Sequence, residues 1–296
     1  MGFFWNEAEA NAEYNRGLLT IMAFDRTNRP HIVGTGFIVG VEQFRAVCVT
    51  AAHVFAEVRR LQSPPQRHSL SALPEFLPPP KSIELDSQRV RAISMEGGRP
   101  EVLCIDGLVF DEATDIAFFS VVLQCPPGKP YFTGQFVVDG TPPAVGDYVA
   151  VLSYGDQASS SSNRTVDGGQ EISVILKRRP VLRVGRVLAH YPDGHRLCRG
   201  PCIETSIPVY SGMSGGPAMH YGMTGSTMTP FGLVCSDPDW DGESKQDRSI
   251  EGHSILAILP CQTSFGANDT RISTLTLPPS ESSGSFFPWA PRRDFL

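Results

Sequence analysis

The sequence predicts an all-β protein, and three observations carry that expectation. Its apolar segments are short, such as 18–24 (LLTIMAF) and 31–41 (HIVGTGFIVGV), and several are rich in β-branched and aromatic residues. Turn formers separate them throughout, with 28 Gly and 25 Pro in 296 residues, a usage that favours many short strands over long helices. The length exceeds a typical single domain and suits a unit of two β-barrels, each with a core of its own.

Taken in order, residues 6–15 (NEAEANAEYN) predict one short helix, so that 1–16 form an N-terminal helical segment. After Gly17 the texture changes, and strands are expected at 18–24, 31–41 and 45–50, the last running into Ala51-Ala52-His53. Gly34 and Gly36 mark a bend or a close backbone approach. Residues 62–82 are Pro-rich and aperiodic and read as a loop. Strands follow at 82–85, 89–94 and 101–110. The near-continuous apolar run 115–123 (DIAFFSVVL) suits a strand buried on both sides.

A Pro/Gly-rich crossing over 124–146 places a boundary between a first barrel, 17–135, and a second, 136–262. In the second, strands are expected at 148–153, 171–176, 181–189, 202–206, 216–220 and 231–235, with a short apolar segment at 255–259. The Ser-rich 158–163 and the acidic 237–247 read as surface loops. Residues 263–296 read as an extended or poorly ordered C-terminal tail.

The chain carries 25 Lys and Arg against 31 Asp and Glu, a net charge of −6. That balance argues against nucleic acid or an anionic membrane as partner. The N-terminus carries acidic residues where a signal peptide would carry Lys or Arg, and no apolar run reaches membrane-spanning length. The seven cysteines form no dense disulfide framework. A cytoplasmic, reducing location is expected.

Three residues stand in contexts that suit nucleophilic hydrolysis. His53 follows a strand in Thr50-Ala51-Ala52-His53, where small residues let the chain turn tightly beneath the imidazole. Asp115 opens an apolar run, which shields its carboxylate from water and strengthens a bond to His Nδ1–H. Ser214 lies in Ser211-Gly212-Met213-Ser214-Gly215-Gly216-Pro217, where glycines open backbone conformations closed to other residues. An imidazole oriented by a carboxylate can take the proton of such a hydroxyl. The N–H groups of Gly212 and Ser214 can form an oxyanion hole. Asp111 is a fallback orienting acid. His195, Cys198 and Cys202 lack a fourth neighbouring ligand for zinc, so no metal and no cofactor is expected.

These three segments, Thr50-Ala51-Ala52-His53, Thr114-Asp115-Ile116-Ala117 and Gly212-Met213-Ser214-Gly215-Gly216-Pro217, resemble the signatures of the chymotrypsin-like (trypsin-fold) serine peptidases, in that family's order. Bacterial intracellular and HtrA-like members are the nearest likeness, over roughly residues 17–262. The resemblance implies two six-stranded antiparallel β-barrels with the active site in the cleft between them. It implies His53 as general base and then acid, Asp115 as its orienting group, and an acyl-enzyme on Ser214 formed from a protein or peptide substrate. Met213 stands where secreted digestive members carry an acid that pairs with a newly cleaved N-terminus. Control by a partner protein or effector is therefore expected instead, in a regulatory, stress or defence setting. Pro208 stands where trypsin carries its specificity acid. The resemblance places Pro208, Val209, Cys235, Ser236 and Asp237 around the substrate pocket. Asp237, Asp239 and Asp241 at its exit could favour a basic substrate side chain or form a solvated acidic turn. A catalytically silent protease fold used as a binding module, and esterase or acyl-transfer action, are the other readings.

Overall fold

A computed structural model describes residues 6–9, 17–42, 45–63, 86–96, 99–111, 114–122, 134–166, 169–196, 198–222, 229–236, 253–260 and 272–276. The expected strand at 82–85 and the expected loop at 237–247 lie outside them, as does nearly all of the loop at 62–82.

Six strands close the first barrel: β2 (Leu18–Phe24), β3 (Pro30–Glu42), β4 (Arg45–Ala51), β5 (Val90–Glu96), β6 (Arg99–Asp111) and β7 (Ile116–Val122). Their order is β6-β5-β2-β3-β4-β7, and β7 pairs back onto β6 to complete the ring, antiparallel throughout. The second barrel is built from β8 (Tyr148–Val166), β9 (Gly169–Tyr191), β10 (Cys202–Thr205), β11 (Pro217–His220), β12 (Pro230–Ser236) and β13 (Ser254–Ile258). Its order is β9-β10-β13-β12-β11-β8, closed by β8 on β9. Closure pairs most of the edges that an open sheet would offer to other chains, and the stretches of β9 and β6 that run past their barrel neighbours keep one. The side-chain pattern follows the pleat: β7 alternates buried and partly exposed residues after Ala117, while every residue of β2 but the last is buried.

Three expectations change. Residues 6–9 are a strand, β1 (Asn6–Glu9), not a helix. Too short to form a stable helix alone, the segment takes its backbone bonds from β9, with Glu7 opposite Arg183. The Ser-rich 158–163 is not a loop but part of β8, which runs on beyond the barrel in a long ribbon paired with β9. Serine side chains on a two-stranded ribbon meet solvent, so they remove apolar periodicity without preventing the ladder. In the tail, residues 272–276 form β14 (Ile272–Thr276), laid antiparallel on the end of β6.

One core cluster spans both barrels, and the second barrel has a further cluster of its own. A buried cluster runs from Phe37, Phe55 and Phe119 in the first through Leu152 and Tyr154 to Leu233 and Cys235 in the second. Tyr154 donates its hydroxyl to Leu18 O at 3.1 Å, across the barrels. Arg178 reaches from β9 to Thr20 Oγ1 (2.7 Å) and Ile93 O (3.0 Å) and lies over the Tyr154 ring. In the connection between barrels, Phe136 meets Phe37 edge-on at 5.7 Å, and its N–H donates to Ile38 O. The two halves of any site between them are thus fixed by packed side chains rather than by a linker.

Candidate active site

The site begins where β4 gives way to α1 (Ala52–Gln62), a helix that the strand-rich sequence pattern did not suggest. Ala51 caps it without a side-chain hydrogen bond, so the first helical N–H groups need partners from elsewhere. Asp115 supplies two of them. Its carbonyl accepts Ala52 N–H at 3.0 Å and its Oδ1 accepts His53 N–H at 2.9 Å. A carboxylate is favoured at this end of a helix. The other oxygen, Oδ2, accepts His53 Nδ1–H at 2.6 Å. One acid therefore fixes both the backbone and the ring of His53, and that acid is Asp115, not Asp111.

Burial is the largest influence on His53 and pushes its pKa down. The charge and hydrogen bond of Asp115 outweigh it, so the imidazole titrates above its ordinary 6.5. The carboxylate is almost enclosed, with its side chain 10% exposed against 28% for His53.

Ser214 arrives from the second barrel. Met213 N–H donates to Tyr210 O and Gly216 N–H to Met213 O, both at 3.0 Å, giving two successive tight turns. Gly212 (φ 91°) and Gly215 (φ 82°) take left-handed backbone conformations there. The loop is clasped to the first barrel. Thr35 N–H donates to Ser214 O (2.8 Å) and Thr35 Oγ1 to Gly212 O (2.8 Å), while Thr50 Oγ1 donates to Thr35 O (2.7 Å). A Cβ on Gly215 would fall well inside contact distance of the Thr50 hydroxyl and the Thr35 carbonyl. At Gly34 a Cβ would lie 2.6 Å from Val54 Cγ2 and 3.0 Å from Ser214 O. The Ser214 backbone and the residue after His53 therefore converge over Gly34. Ser214 and His53 are both half-buried.

Beneath the loop lies Arg183 of β9, 5% exposed. It donates to Pro208 O at 2.9 Å, touches Met213 Sδ at 2.9 Å and lies 4.5 Å from the centre of the Tyr210 ring. The loop is thus propped by a buried cation where Met213 stands.

The pocket residues fare differently. Pro208 and Val209 are buried, Val209 within the second barrel's own core cluster. Cys235 reaches Asp115. Its side chain is fully buried and its Sγ lies 2.9 Å from Asp115 Oδ2, a third donor on the same carboxylate. Ser236 closes β12, and Asp237 lies outside the described residues. Sequence reasoning also missed Thr35 and Thr50 as clasps and Arg183 as a prop. Thr50 opens the segment that leads to His53, and Thr35 stands between Gly34 and Gly36.

Among the described residues, no helix is long and apolar enough to cross a membrane. Cys48, Cys104, Cys198, Cys202 and Cys235 are free thiols. No curated protein matches the chain. The model of the trypsin-like peptidase domain family does, over residues 34–222, a span that contains His53, Asp115 and Ser214 and more than half of the chain. With that match set on two closed barrels and an imidazole–carboxylate pair, the chain belongs to the trypsin-like peptidase family.

Proposed function

We propose that the chain is a serine endopeptidase in which Ser214 attacks the substrate carbonyl. His53 takes the Ser214 proton at Nε2 and returns it to the leaving amine, and Asp115 holds the ring. The observation that carries this reading is the double grip of Asp115 on His53. With Nδ1–H committed to Oδ2 at 2.6 Å, the neutral ring keeps its lone pair on Nε2, the tautomer a general base needs. The raised pKa supports the same role, since the imidazolium formed in the transition state is stabilised by the adjacent carboxylate.

Gly212 and Ser214 are the proposed oxyanion donors. The N–H between them, on Met213, is committed to Tyr210 O and takes no part. The acyl-enzyme on Ser214 then passes to water activated by the same imidazole.

Arg183 supports a reading in which the nucleophile loop is ordered by an internal cation, without a newly cleaved N-terminus. Control then falls to a partner or effector that acts on the site from outside. The free thiols support a reducing, cytoplasmic setting. Incubating the chain with a peptide library and mapping the new termini tests the activity: cleavage by wild type that is absent from Ser214→Ala supports it. An uncleaved library, with and without cell extract as a source of effectors, favours a silent binding module instead.

A further inference from the structure

The strand that carries Arg183 is covered by its barrel on one side only. There β8 pairs with it, Val151 opposite Arg183. On the other side β10 begins only at Val187. Just before that point Ser206 N–H donates to Arg186 O and Arg186 N–H to Ser206 Oγ, both at 3.0 Å. A Cβ on Gly185 would lie 2.6 Å from Ile207 Cγ1 and 2.7 Å from Ser206 Oγ, so the neighbouring chain is tight against β9 there. At the far end stands Pro180, which has no N–H to offer a ladder. Between these two stops the barrel leaves a notch at residues 181–184. β1 fills it residue for residue: Asn6 pairs with Val184, Glu7 with Arg183, Ala8 with Leu182 and Glu9 with Val181.

The segment does not owe its extended form to its own composition. Asn, Glu and Ala are poor strand formers, whereas an unpaired edge draws an extended segment to it. Charge favours the same pairing. β1 contains Glu7 and Glu9, while β9 carries Lys177, Arg178, Arg179, Arg183 and Arg186 and no acid from 172 to 190. The notch matters because Arg183 lies in it. Its guanidinium bonds Pro208 O and touches Met213 Sδ beneath the nucleophile loop. With β1 seated, the backbone around Arg183 has a strand on each side. With the notch empty, it is paired on one side and free to fray.

We infer that β1 is a positioning strand for the nucleophile loop: seated in the β9 notch, it holds Arg183 where the guanidinium orders residues 212–214. The effect on catalysis rests on the proposed peptidase reading, whereas the ordering of the loop does not. Adjacent residues of an antiparallel ladder turn their N–H groups to opposite sides. Of Glu7 and Ala8, one therefore donates into β9 and the other faces away. β1 is an edge strand, where a proline whose N–H would face outward is tolerated.

Glu7→Pro and Ala8→Pro, made singly in the full chain, test this. One is expected to slow fluorophosphonate labelling of Ser214 by about tenfold or more, the worth of the guanidinium bond it unseats, and the other to label like wild type. Added to Arg183→Met, the sensitive proline is expected to cause little further loss, since both changes remove one support, whereas independent losses multiply. Two prolines with the same effect, whether none or a full loss, overturn the proposal, and so does a full further loss on top of Arg183→Met. Amide exchange reads the loop without catalysis. The sensitive variant is expected to speed exchange of the Met213, Gly215 and Gly216 N–H groups, which are bonded to the carbonyls of Tyr210, Val234 and Met213. Unchanged exchange overturns the proposal. A wild type that never labels refutes the peptidase reading, and the exchange data still decide the role of β1. If neither proline variant folds, exchange of the unmodified chain decides. The amides of 6–9 and 212–216 are then expected to open together, with one dependence on denaturant. β1 amides that exchange freely while the loop stays protected overturn the proposal.

Discussion

Replacing Asp115 by Asn probes the centre of the site with almost no change of volume. The carboxylate accepts from His53 N–H at 2.9 Å, from His53 Nδ1–H at 2.6 Å and from the Cys235 thiol at 2.9 Å. An amide has one acceptor oxygen and one donor group for the same three donors. If the oxygen keeps the helix N–H, the NH2 faces Nδ1, and the ring must move its proton to Nε2 to accept it. A base so reversed loses about 10⁴-fold in kcat in the serine peptidase where this change has been made, equivalent to about 5.4 kcal/mol of barrier. The pH profile supplies a second, independent sign. His53 must be neutral to act, and Asp115 raises its pKa above 6.5. The acid limb of wild-type kcat/KM is therefore expected above pH 6.5, and the residual activity of Asp115→Asn should have that limb displaced to lower pH. Steady-state hydrolysis of a peptide cleaved by wild type, measured from pH 5 to 9, reads both effects. A loss under tenfold with an unmoved acid limb would refute the assignment of Asp115 and the tautomer argument with it.

Gly215→Ala places a methyl in a left-handed conformation, costing roughly 1–2 kcal/mol, and drives it into the Thr50 hydroxyl and the Thr35 carbonyl. With the clasp bonds also lost, at about 1 kcal/mol each, thermal unfolding should show a drop of about 3 kcal/mol or more, together with loss of activity. A wild-type melting temperature would show that the clasp is not needed. Arg183→Met keeps the bulk beneath the nucleophile loop and removes the guanidinium bond to Pro208 O. A charged hydrogen bond is worth about 1.5–3 kcal/mol, so kcat/KM should fall about ten- to a hundredfold, with partial recovery in Arg183→Lys. Full activity in the methionine variant would show that the loop orders without a cation.

Much of the site was legible because its chemistry is written in short contiguous segments. Thr50-Ala51-Ala52-His53 marks a strand end that must turn, and Asp115 heads an apolar strand, so both carry their context with them. The unread parts depend on separations the chain does not display. Arg183 and Met213 lie 30 residues apart in sequence yet 2.9 Å apart in space. Cys235 and Asp115 lie 120 residues apart in sequence yet 2.9 Å apart in space, beside a bulge between Val234 and Ser236 against β13 that strand alternation does not display. The ribbon of β8 and β9 was broken into pieces because serine and glycine along it carry no apolar period. Residues 6–9 had helix-forming composition but found a strand edge, an outcome set by β9 and not by their own propensity.

A fluorophosphonate reaction followed by mass-spectrometric location of the adduct identifies the nucleophile itself. A single phosphonylated residue, Ser214, is expected, with labelling lost in Ser214→Ala and slowed by several orders of magnitude in His53→Ala. An adduct on another serine, or equal labelling of the His53→Ala variant, would contradict the claim that Ser214 is a nucleophile activated by His53.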